Sequence, residues 1–256
     1  MRTILETIAV AFSMFSAIPV PQFPWTEKNM HYAMCAFPLV GVALGGLCWL
    51  WVVVCQWLSL PALLRGAGLC LLPVAVTGGI HLDGYCDASD ALASHAPPEK
   101  KQEIMKDPHI GAFGVIRLCG YFILAFTLWA TLTSYPGPAV WLSFCLSRTL
   151  SGLAVATFPL SKGSGLAYTF ATAADKTVVA RVLAAASLAL VVGLCFCGWA
   201  GAAMAALALM VFLDYHRRSV KEFGGLSGDL AGWFLQRAEL WMLTGLWIVT
   251  WMEAMG

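Results

Sequence analysis

The sequence contains very few charged residues for its length. Only 11% of its 256 residues are Asp, Glu, Lys or Arg, whereas about a quarter of a typical soluble domain is charged. Hydrophobic residues make up 60% of the chain, and the mean hydropathy is +0.78. This composition excludes an ordinary soluble domain and predicts an integral membrane protein.

Other features are also missing. The formal net charge is +1 and no long basic run occurs, so we expect no nucleic-acid partner. The nine cysteines form no pair of CxxC motifs and fall mostly in apolar segments, which argues against a zinc site or a disulfide framework. No small-residue cleavage site follows the apolar N-terminal run, so we expect no cleaved signal peptide.

The apolar residues form runs that predict membrane helices, each of which needs about 20 residues to cross a bilayer. Seven runs qualify or nearly qualify: 33–58, 66–80, 113–133, 140–158, 179–197, 200–213 and 240–251. The first run, 4–18, is short and is followed by Pro19 and Pro21, so we interpret it as an interfacial or re-entrant helix. The prediction is an all-α polytopic membrane helix bundle with about seven transmembrane helices plus this N-terminal helix, in one domain over residues 1–256.

One pair of predicted spans needs a break between them. Residues 178–213 would form a helix about 54 Å long, which is too long for one crossing. Gly198-Trp-Ala-Gly201 lies near the middle of this stretch. We therefore predict a hairpin at residues 198–201.

Basic residues are distributed unevenly between the loops. The segments 81–109, 160–181 and 214–239 carry three, three and four Lys or Arg residues, and the turns 134–139 and 198–201 carry none. By the positive-inside rule, the three charged segments face the cytoplasm together. We expect a multi-pass protein of a bacterial-type inner membrane, with its catalytic loops and active site on the cytoplasmic side.

One acidic stretch concentrates the candidate chemistry: Thr77-Gly-Gly-Ile-His-Leu-Asp-Gly-Tyr-Cys-Asp-Ala-Ser-Asp90. Asp83, Asp87 and Asp90 are spaced i, i+4 and i+7, so on a helix they share one face. Like charges this close repel each other unless a cation binds among them or the acids are protonated, and oxygen ligands suit Mg²⁺, Mn²⁺ or Ca²⁺ rather than zinc. On spacing alone, a solvated acidic face is equally well supported.

The residues around the aspartates add further candidates. Gly78 and Gly79 permit close approach of a ligand to the backbone, and Lys106 follows nearby with a positive charge. His81 has three interpretations, as a base, as a phosphate donor or as a cap bonded to the backbone, and the last is the commonest for a single histidine.

Two later stretches also carry candidates. Arg148 lies inside the apolar run 140–158, where it needs a partner or a wet cavity. An ion pair with one of the aspartates and a direct phosphate contact are about equally supported. The turn at Gly224-Gly225 offers backbone N–H groups to an anion, and Asp229 follows it as a metal ligand or base.

The acidic stretch closely resembles the hallmark of the cobalamin-5′-phosphate synthase family, also called adenosylcobinamide-GDP ribazoletransferases. Other segments resemble that family in the same order: Phe15-Ser-Ala-Ile-Pro-Val-Pro21, Phe37-Pro-Leu-Val-Gly41, Glu103-Ile-Met-Lys-Asp-Pro-His-Ile-Gly111, Ser147-Arg148, and Gly224-Gly-Leu-Ser-Gly-Asp229 with Glu239. The chain departs from the common pattern at Tyr85-Cys86, Pro108-His109, 162–165 and Gln236. The departures at 162 and 236 weaken the transfer of substrate contacts to those two positions.

The resemblance implies phosphoryl transfer from adenosylcobinamide-GDP to α-ribazole or its 5′-phosphate, with release of GMP. Asp83, Asp87 and Asp90 would hold Mg²⁺, with Mn²⁺ as a substitute. Catalytic roles would fall to Asp107, Arg148, Asp229 and His81. Substrate contacts would fall to Gly78, Gly79, Lys106, Lys162, Lys221, Gly224, Gly225 and Glu239. The lipid bilayer is the remaining partner, and a homo-oligomer is compatible with the sequence, which does not determine the oligomeric state.

Two other classes use carboxylates in membranes. A CDP-alcohol-type lipid phosphotransferase also carries clustered aspartates, but the Asp-x3-Asp-x2-Asp order lacks its longer paired pattern. An ion-coupled transporter binds its cation with intramembrane carboxylates. The charges here concentrate in loops on one side, which makes the transporter the weaker alternative.

The distribution of basic residues generates a prediction about topology. In a background without native cysteines, single cysteines at positions 100, 162 and 221 should react with an impermeant maleimide from the cytoplasmic side only. A cysteine at position 136 should react only from the other side. Labelling of positions 100 and 221 from opposite sides would contradict a single cytoplasmic site.

Overall fold

The computed structural model describes residues 2–161 and 165–255. Over these residues the chain forms twelve helices and no extended strand, apart from one parallel bridge between Leu160 and Leu226. The helices are α1 (Arg2–Phe15), α2 (Glu27–Met30), α3 (Ala33–Trp57), α4 (Ala62–Thr77), α5 (Ile80–Ala93), α6 (Pro98–Ile104), α7 (Ala112–Thr131), α8 (Gly137–Thr157), α9 (Leu166–Ala173), α10 (Lys176–Phe196), α11 (Gly198–Phe223) and α12 (Gly228–Met255). The predicted all-α membrane bundle is confirmed.

Five of the described helices are long and apolar enough to cross a membrane: α3, α7, α8, α10 and α11. Helices α4 and α5 pass the same test only as a pair, and the chain bends by 94° between them; α5 alone, with 14 residues, is not a candidate span. The described residues therefore give five spans, or six with the bent pair, where the sequence predicted about seven. The seventh predicted run lies in α12, which is 28 residues long but also carries Asp229, Arg237 and Glu239.

Helix α8 lies at the centre of the bundle, where it packs against α3, α10, α11 and α12. Glycines in α3 allow the closest of these contacts. A Cβ atom on Gly41 would lie 2.5 Å from the carbonyl oxygen of Phe144, and one on Gly45 would lie 2.5 Å from the Trp141 ring. Small residues four positions apart let two helix backbones approach, which is a common packing mode in membranes.

The bend between α4 and α5 is made by two glycines. Gly78 and Gly79 have φ angles of 65° and 80°, which side chains other than glycine rarely tolerate. Both amide groups donate to the carbonyl of Val74 and so close the end of α4. The bend turns the aspartate-bearing helix away from the direction of α4.

Helix α5 then packs closely against the start of α12. A Cβ atom on Gly84 would lie 2.6 Å from the carbonyl oxygen of Asp229, and one on Gly232 would lie 2.8 Å from the carbonyl oxygen of His81. The two helices thus approach at backbone distance, with no side chain between them at these points. This contact brings Asp229 to the aspartate face of α5.

The other predicted breaks agree with the structure. Helix α10 ends at Phe196 and α11 begins at Gly198, whose φ is 83°, so the predicted break between the two helices is present but falls at Cys197, just before the predicted residues 198–201. The short N-terminal helix α1 has 14 residues and is not one of the five candidate spans. The three segments predicted as catalytic loops contain much helix, because they include α5, α6, α9 and the adjoining ends of α11 and α12.

Candidate functional site

Three cavities adjoin the aspartate face of α5. The inner cavity, of about 460 Å³, is lined by residues of α1, α3, α5, α8, α9 and α12 and includes Asp83 and Asp229. The glycine cavity, of about 480 Å³, is lined by Gly78, Gly79, Asp83 and Asp87 among others. The loop cavity, of about 410 Å³, includes Asp87, Asp90 and Asp107. Asp83 and Asp87 each border two of the three, so the cavities adjoin at the carboxylates.

The carboxylates are close enough to perturb one another. The pKa of the Asp87 carboxyl is raised to about 6, first by burial and then by the negative charges of Asp83, Asp229 and Asp90. Carboxylates gathered in this way favour binding of a cation or a proton. The sequence predicted three of these four aspartates as a cluster, and the fold adds Asp229.

The side chains do not form a ready-made metal cage. Within the described ranges, no group of three or more His, Cys, Asp or Glu residues is arranged to hold a metal ion. Mg²⁺ in phosphate-transferring sites commonly takes one or two carboxylates, with substrate oxygens and water completing its shell. The donor set of Asp83 and Asp87 therefore fits Mg²⁺ in the presence of a phosphate group.

The Asp90 carboxylate accepts hydrogen bonds from the start of another helix. Its Oδ2 accepts a hydrogen bond from the Gly111 amide and its Oδ1 accepts one from the Gly114 amide, both at 2.8 Å. These amides belong to the start of α7, where unpaired N–H groups and the helix dipole favour a carboxylate. Asp90 therefore caps α7 and ties it to α5, and the ligand role that the spacing indicated stays a prediction.

Asp229 is positioned by the start of α12. The hydroxyl of Ser227 accepts a hydrogen bond from the Leu230 amide, and Asp229 stands in the first turn of the helix. The backbone contact with Gly84 then fixes it beside α5. Its place at the inner cavity with Asp83 and Lys106 makes it the best-placed candidate for a base.

Two neighbours from the loop after α6 join the site. Lys106 is exposed and lines the inner cavity, where it provides a positive charge beside the carboxylates. Asp107 lines the loop cavity, and its carboxylate accepts a hydrogen bond from the His109 amide and contacts the His109 ring at 2.8 Å. These two interactions lower the pKa of Asp107, which favours its ionised form.

His81 lies at the inner cavity but is enclosed, with only 5% of its surface exposed. Burial and then the charge of Arg148 lower its pKa to about 3, so it enters the site as a neutral imidazole. Its Nε2 atom has no hydrogen-bond partner among the described residues. A neutral hydrogen-bonding role fits this environment better than the base that the sequence offered.

Arg148 and Glu239 are paired with each other inside the bundle. The Arg148 guanidinium forms an ion pair with Glu239, and both groups also hydrogen-bond the Ser147 hydroxyl. Only 1% of the arginine side chain and 9% of the glutamate side chain are exposed. The predicted pair with an aspartate and the predicted substrate contacts are therefore replaced by an internal pair between α8 and α12.

The glycine-rich turn does not offer its amides to an anion. The Gly224 amide donates to Val220, the Gly225 amide to Ser219 and the Leu226 amide to Pro159. The turn caps α11 and holds the segment after α8, which corrects the anion-binding role predicted for Gly224 and Gly225. Gly78 and Gly79 do line the glycine cavity, but their amides close α4.

The remaining predicted lysines are not brought to the aspartates. Lys221 is exposed on the last turn of α11 and, in the part of the chain that the structure describes, does not line any of these three cavities. Lys162 lies outside the described residues.

Several residues at the site were not predicted to act there. The inner cavity is walled by Phe15, Phe37 and Phe170, and Ser151 also lines it. Phe15 and Phe37 are the first residues of two segments that resemble the family's motifs, so the resemblance could have indicated that they lie at the site. Away from the cavities, the buried Lys101 forms an ion pair with the partly exposed Glu222 that holds α6 against α11, and no local pattern indicates that pairing.

Comparisons with known proteins place the chain in a family. A model of the cobalamin-5-phosphate synthase family matches residues 7–247. The chain belongs to this family. The match spans both halves of the acidic site, from α1 to α12, and it agrees with the resemblance of the acidic stretch. No solved structure matches the chain.

Curated relatives named adenosylcobinamide-GDP ribazoletransferase align over nearly the whole chain. The protein from Lachnoclostridium phytofermentans is 41% identical over 246 residues, which cover 96% of this chain and 94% of the relative. The Desulfitobacterium hafniense protein is 34% identical, with coverage of 94% and 96%. The Geobacillus thermodenitrificans protein is 30% identical over the full length of both chains. This chain is similar to transferases of cobalamin synthesis, so the lipid phosphotransferase and transporter interpretations lose their support.

The internal ion pair generates a prediction about stability. Arg148→Met should lower the stability of the purified protein by about 3–5 kcal/mol, because it leaves the Glu239 carboxylate buried without its partner. Adding Glu239→Leu to that variant should restore most of the loss. Thermal unfolding in detergent micelles measures both effects. A single variant as stable as the parent would contradict the structural role of the pair.

Proposed function

We propose that this protein transfers the adenosylcobinamide phosphate group from adenosylcobinamide-GDP to α-ribazole or its 5′-phosphate. The products are GMP and adenosylcobalamin, or adenosylcobalamin 5′-phosphate with the second acceptor. Family membership and the names of the relatives support this reaction. The structural observation that carries it is the group of Asp83, Asp87 and Asp229 beside Lys106, where the cavities adjoin.

The reaction forms one oxygen–phosphorus bond and breaks another. The acceptor hydroxyl forms a bond to the phosphorus next to the corrinoid, and the bond from that phosphorus to the bridging oxygen breaks. GMP leaves with the bond electrons. The hydroxyl proton passes to a base, for which Asp229 at the inner cavity is best placed.

The diphosphate of the donor carries negative charge that the site must neutralise. Asp83 and Asp87 would hold Mg²⁺, or Mn²⁺ in its place, which would withdraw charge from the phosphate oxygens when bound. Lys106 contributes a positive charge from the protein itself. Phosphoryl transfer of this kind depends mainly on positioning and charge stabilisation, with little covalent participation by the protein.

The location follows from the same residues. Five or six candidate spans support a multi-pass membrane protein. We assign it to the inner membrane with the site facing the cytoplasm, because Lys106 and the other basic residues cluster in the segments that carry the aspartates.

The reaction is tested with purified protein, adenosylcobinamide-GDP, α-ribazole and Mg²⁺. Chromatography should detect GMP and a cobalamin product in equal amounts, and chelation of the metal should abolish both. Absence of GMP from active, folded protein would contradict the proposed transfer. Turnover unaffected by chelation would contradict the metal assignment.

Variants of the three aspartates distinguish the proposed metal ligands, Asp83 and Asp87, from Asp90, which caps α7. Asp83→Asn and Asp87→Asn should each lower turnover by about a hundredfold or more, because each removes a charge from the metal site while keeping side-chain size. Asp90→Asn should chiefly lower stability, by about 1–3 kcal/mol, because an amide cannot accept hydrogen bonds at both of its terminal atoms.

The three variants serve as controls for each other, since they share one helix face and one chemical change. Turnover is normalised to folded protein measured by size-exclusion chromatography. Equal turnover losses in all three, with unchanged stability for Asp90→Asn, would contradict the division of roles.

A further inference from the structure

The inner cavity has two chemically different ends. Its wall is aromatic, with the Phe15 ring 4.3 Å from the Phe37 ring and 5.2 Å from the Phe170 ring between centroids. Its other end carries Asp83, Asp229 and Lys106. A ligand that fills it must therefore be apolar and flat at one end, and polar at the end that meets the carboxylates.

Two largely buried polar side chains line this cavity. His81 lines the cavity and is 95% buried, since 5% of its surface is exposed, and its Nε2 has no hydrogen-bond partner among the described residues. His81 therefore places a hydrogen-bonding imidazole at the cavity wall. The Ser151 hydroxyl, from a residue 1% exposed, is a second polar group at the same wall.

The size of the cavity distinguishes between the two substrates of the proposed reaction. Pockets for small organic ligands occupy about 300–1,000 Å³, and the inner cavity, at about 460 Å³, is near the lower end of that range. α-Ribazole, a ribose joined to an apolar fused aromatic base, has about 20 non-hydrogen atoms and suits this volume. Adenosylcobinamide-GDP is several times larger and does not fit within it.

We propose that the inner cavity is the binding site for the acceptor nucleoside, an inference that rests on the proposed function. The aromatic base lies among Phe15, Phe37 and Phe170. The His81 imidazole donates a hydrogen bond to the free ring nitrogen of the base. The ribose then reaches the polar end, where its hydroxyl meets Asp229 and the donor phosphate approaches from the side of Asp83.

The arrangement gives the two substrates separate, adjoining cavities. The acceptor is small and largely apolar, so burial of its base against three rings gives affinity through the hydrophobic effect and aromatic packing. The donor diphosphate is placed next to Asp83 and Asp87, which also border the glycine cavity. Both cavities are lined by Asp83, which is the one charged residue that they share.

The test uses variants that narrow the cavity or remove its polar atom. Ala167 lines the cavity on α9, and Ala167→Leu should fill part of it. Thr172→Leu enlarges an exposed residue on the same helix and is the matched control. His81→Leu removes the hydrogen bond. The full-length protein is assayed in detergent micelles, with thermal unfolding measured for each variant.

The KM for α-ribazole should rise at least about tenfold in Ala167→Leu and in His81→Leu, which corresponds to about 1.4 kcal/mol in each case. The KM for adenosylcobinamide-GDP should change little, and Thr172→Leu should match the parent for both substrates. If Ala167→Leu fails to fold, Phe170→Leu takes its place, because it removes the ring and keeps an apolar side chain.

The possible outcomes test the cavity assignment and the proposed transfer separately. An unchanged KM for the acceptor in both cavity variants, or a rise confined to the donor, overturns the cavity assignment while the proposed transfer stands. Equilibrium binding of α-ribazole is also measured by calorimetry on the parent protein and Ala167→Leu. Binding that is lost in the variant, from a parent protein that releases no GMP, supports the cavity and overturns the proposed function.

Discussion

The site depends on the backbone contact between α5 and α12. Gly84 lies against the backbone of Asp229 and Gly232 lies against the backbone of His81, so the two helices meet without intervening side chains. This approach holds carboxylates from distant parts of the sequence together, and burial followed by their mutual repulsion raises the pKa of Asp87. A side chain at either glycine would separate the helices and disperse the charges on which cation binding relies.

Other charged residues in the bundle interact with protein groups and support the structure. The interior charges are neutralised by pairing, as in Arg148 with Glu239 between α8 and α12, because an unpaired charge inside a membrane protein is costly. Asp90 is likewise used for structure, since it caps α7. Excess negative charge remains at the border of the cavities, at Asp83 and Asp87. That contrast separates the supporting charges from those available to a ligand.

Local patterns in the sequence predicted the local features well. The spacing of Asp83 and Asp87 predicted a helix face, and Gly198 predicted the hairpin, because both depend on residues close in the chain. The pairing of Arg148 with Glu239 spans 91 positions, and spacing alone cannot indicate such a partner. The aromatic cavity was missed for the same reason, since its walls come from helices that only the fold brings together. The span count differed for two reasons: composition does not reveal the 94° bend before α5, and the last apolar run belongs to the charged helix α12, which is not a candidate span.

The central claim is that Asp83 and Asp87 hold a divalent cation together with the donor diphosphate. Electron paramagnetic resonance of Mn²⁺ measures this binding directly, with adenosylcobinamide-GDP present, α-ribazole omitted, and donor without protein as the blank. The account predicts protein-dependent Mn²⁺ binding that weakens by about tenfold or more in Asp87→Asn and persists in folded Asp90→Asn. Mn²⁺ binding by Asp87→Asn as tight as that of the parent would contradict it.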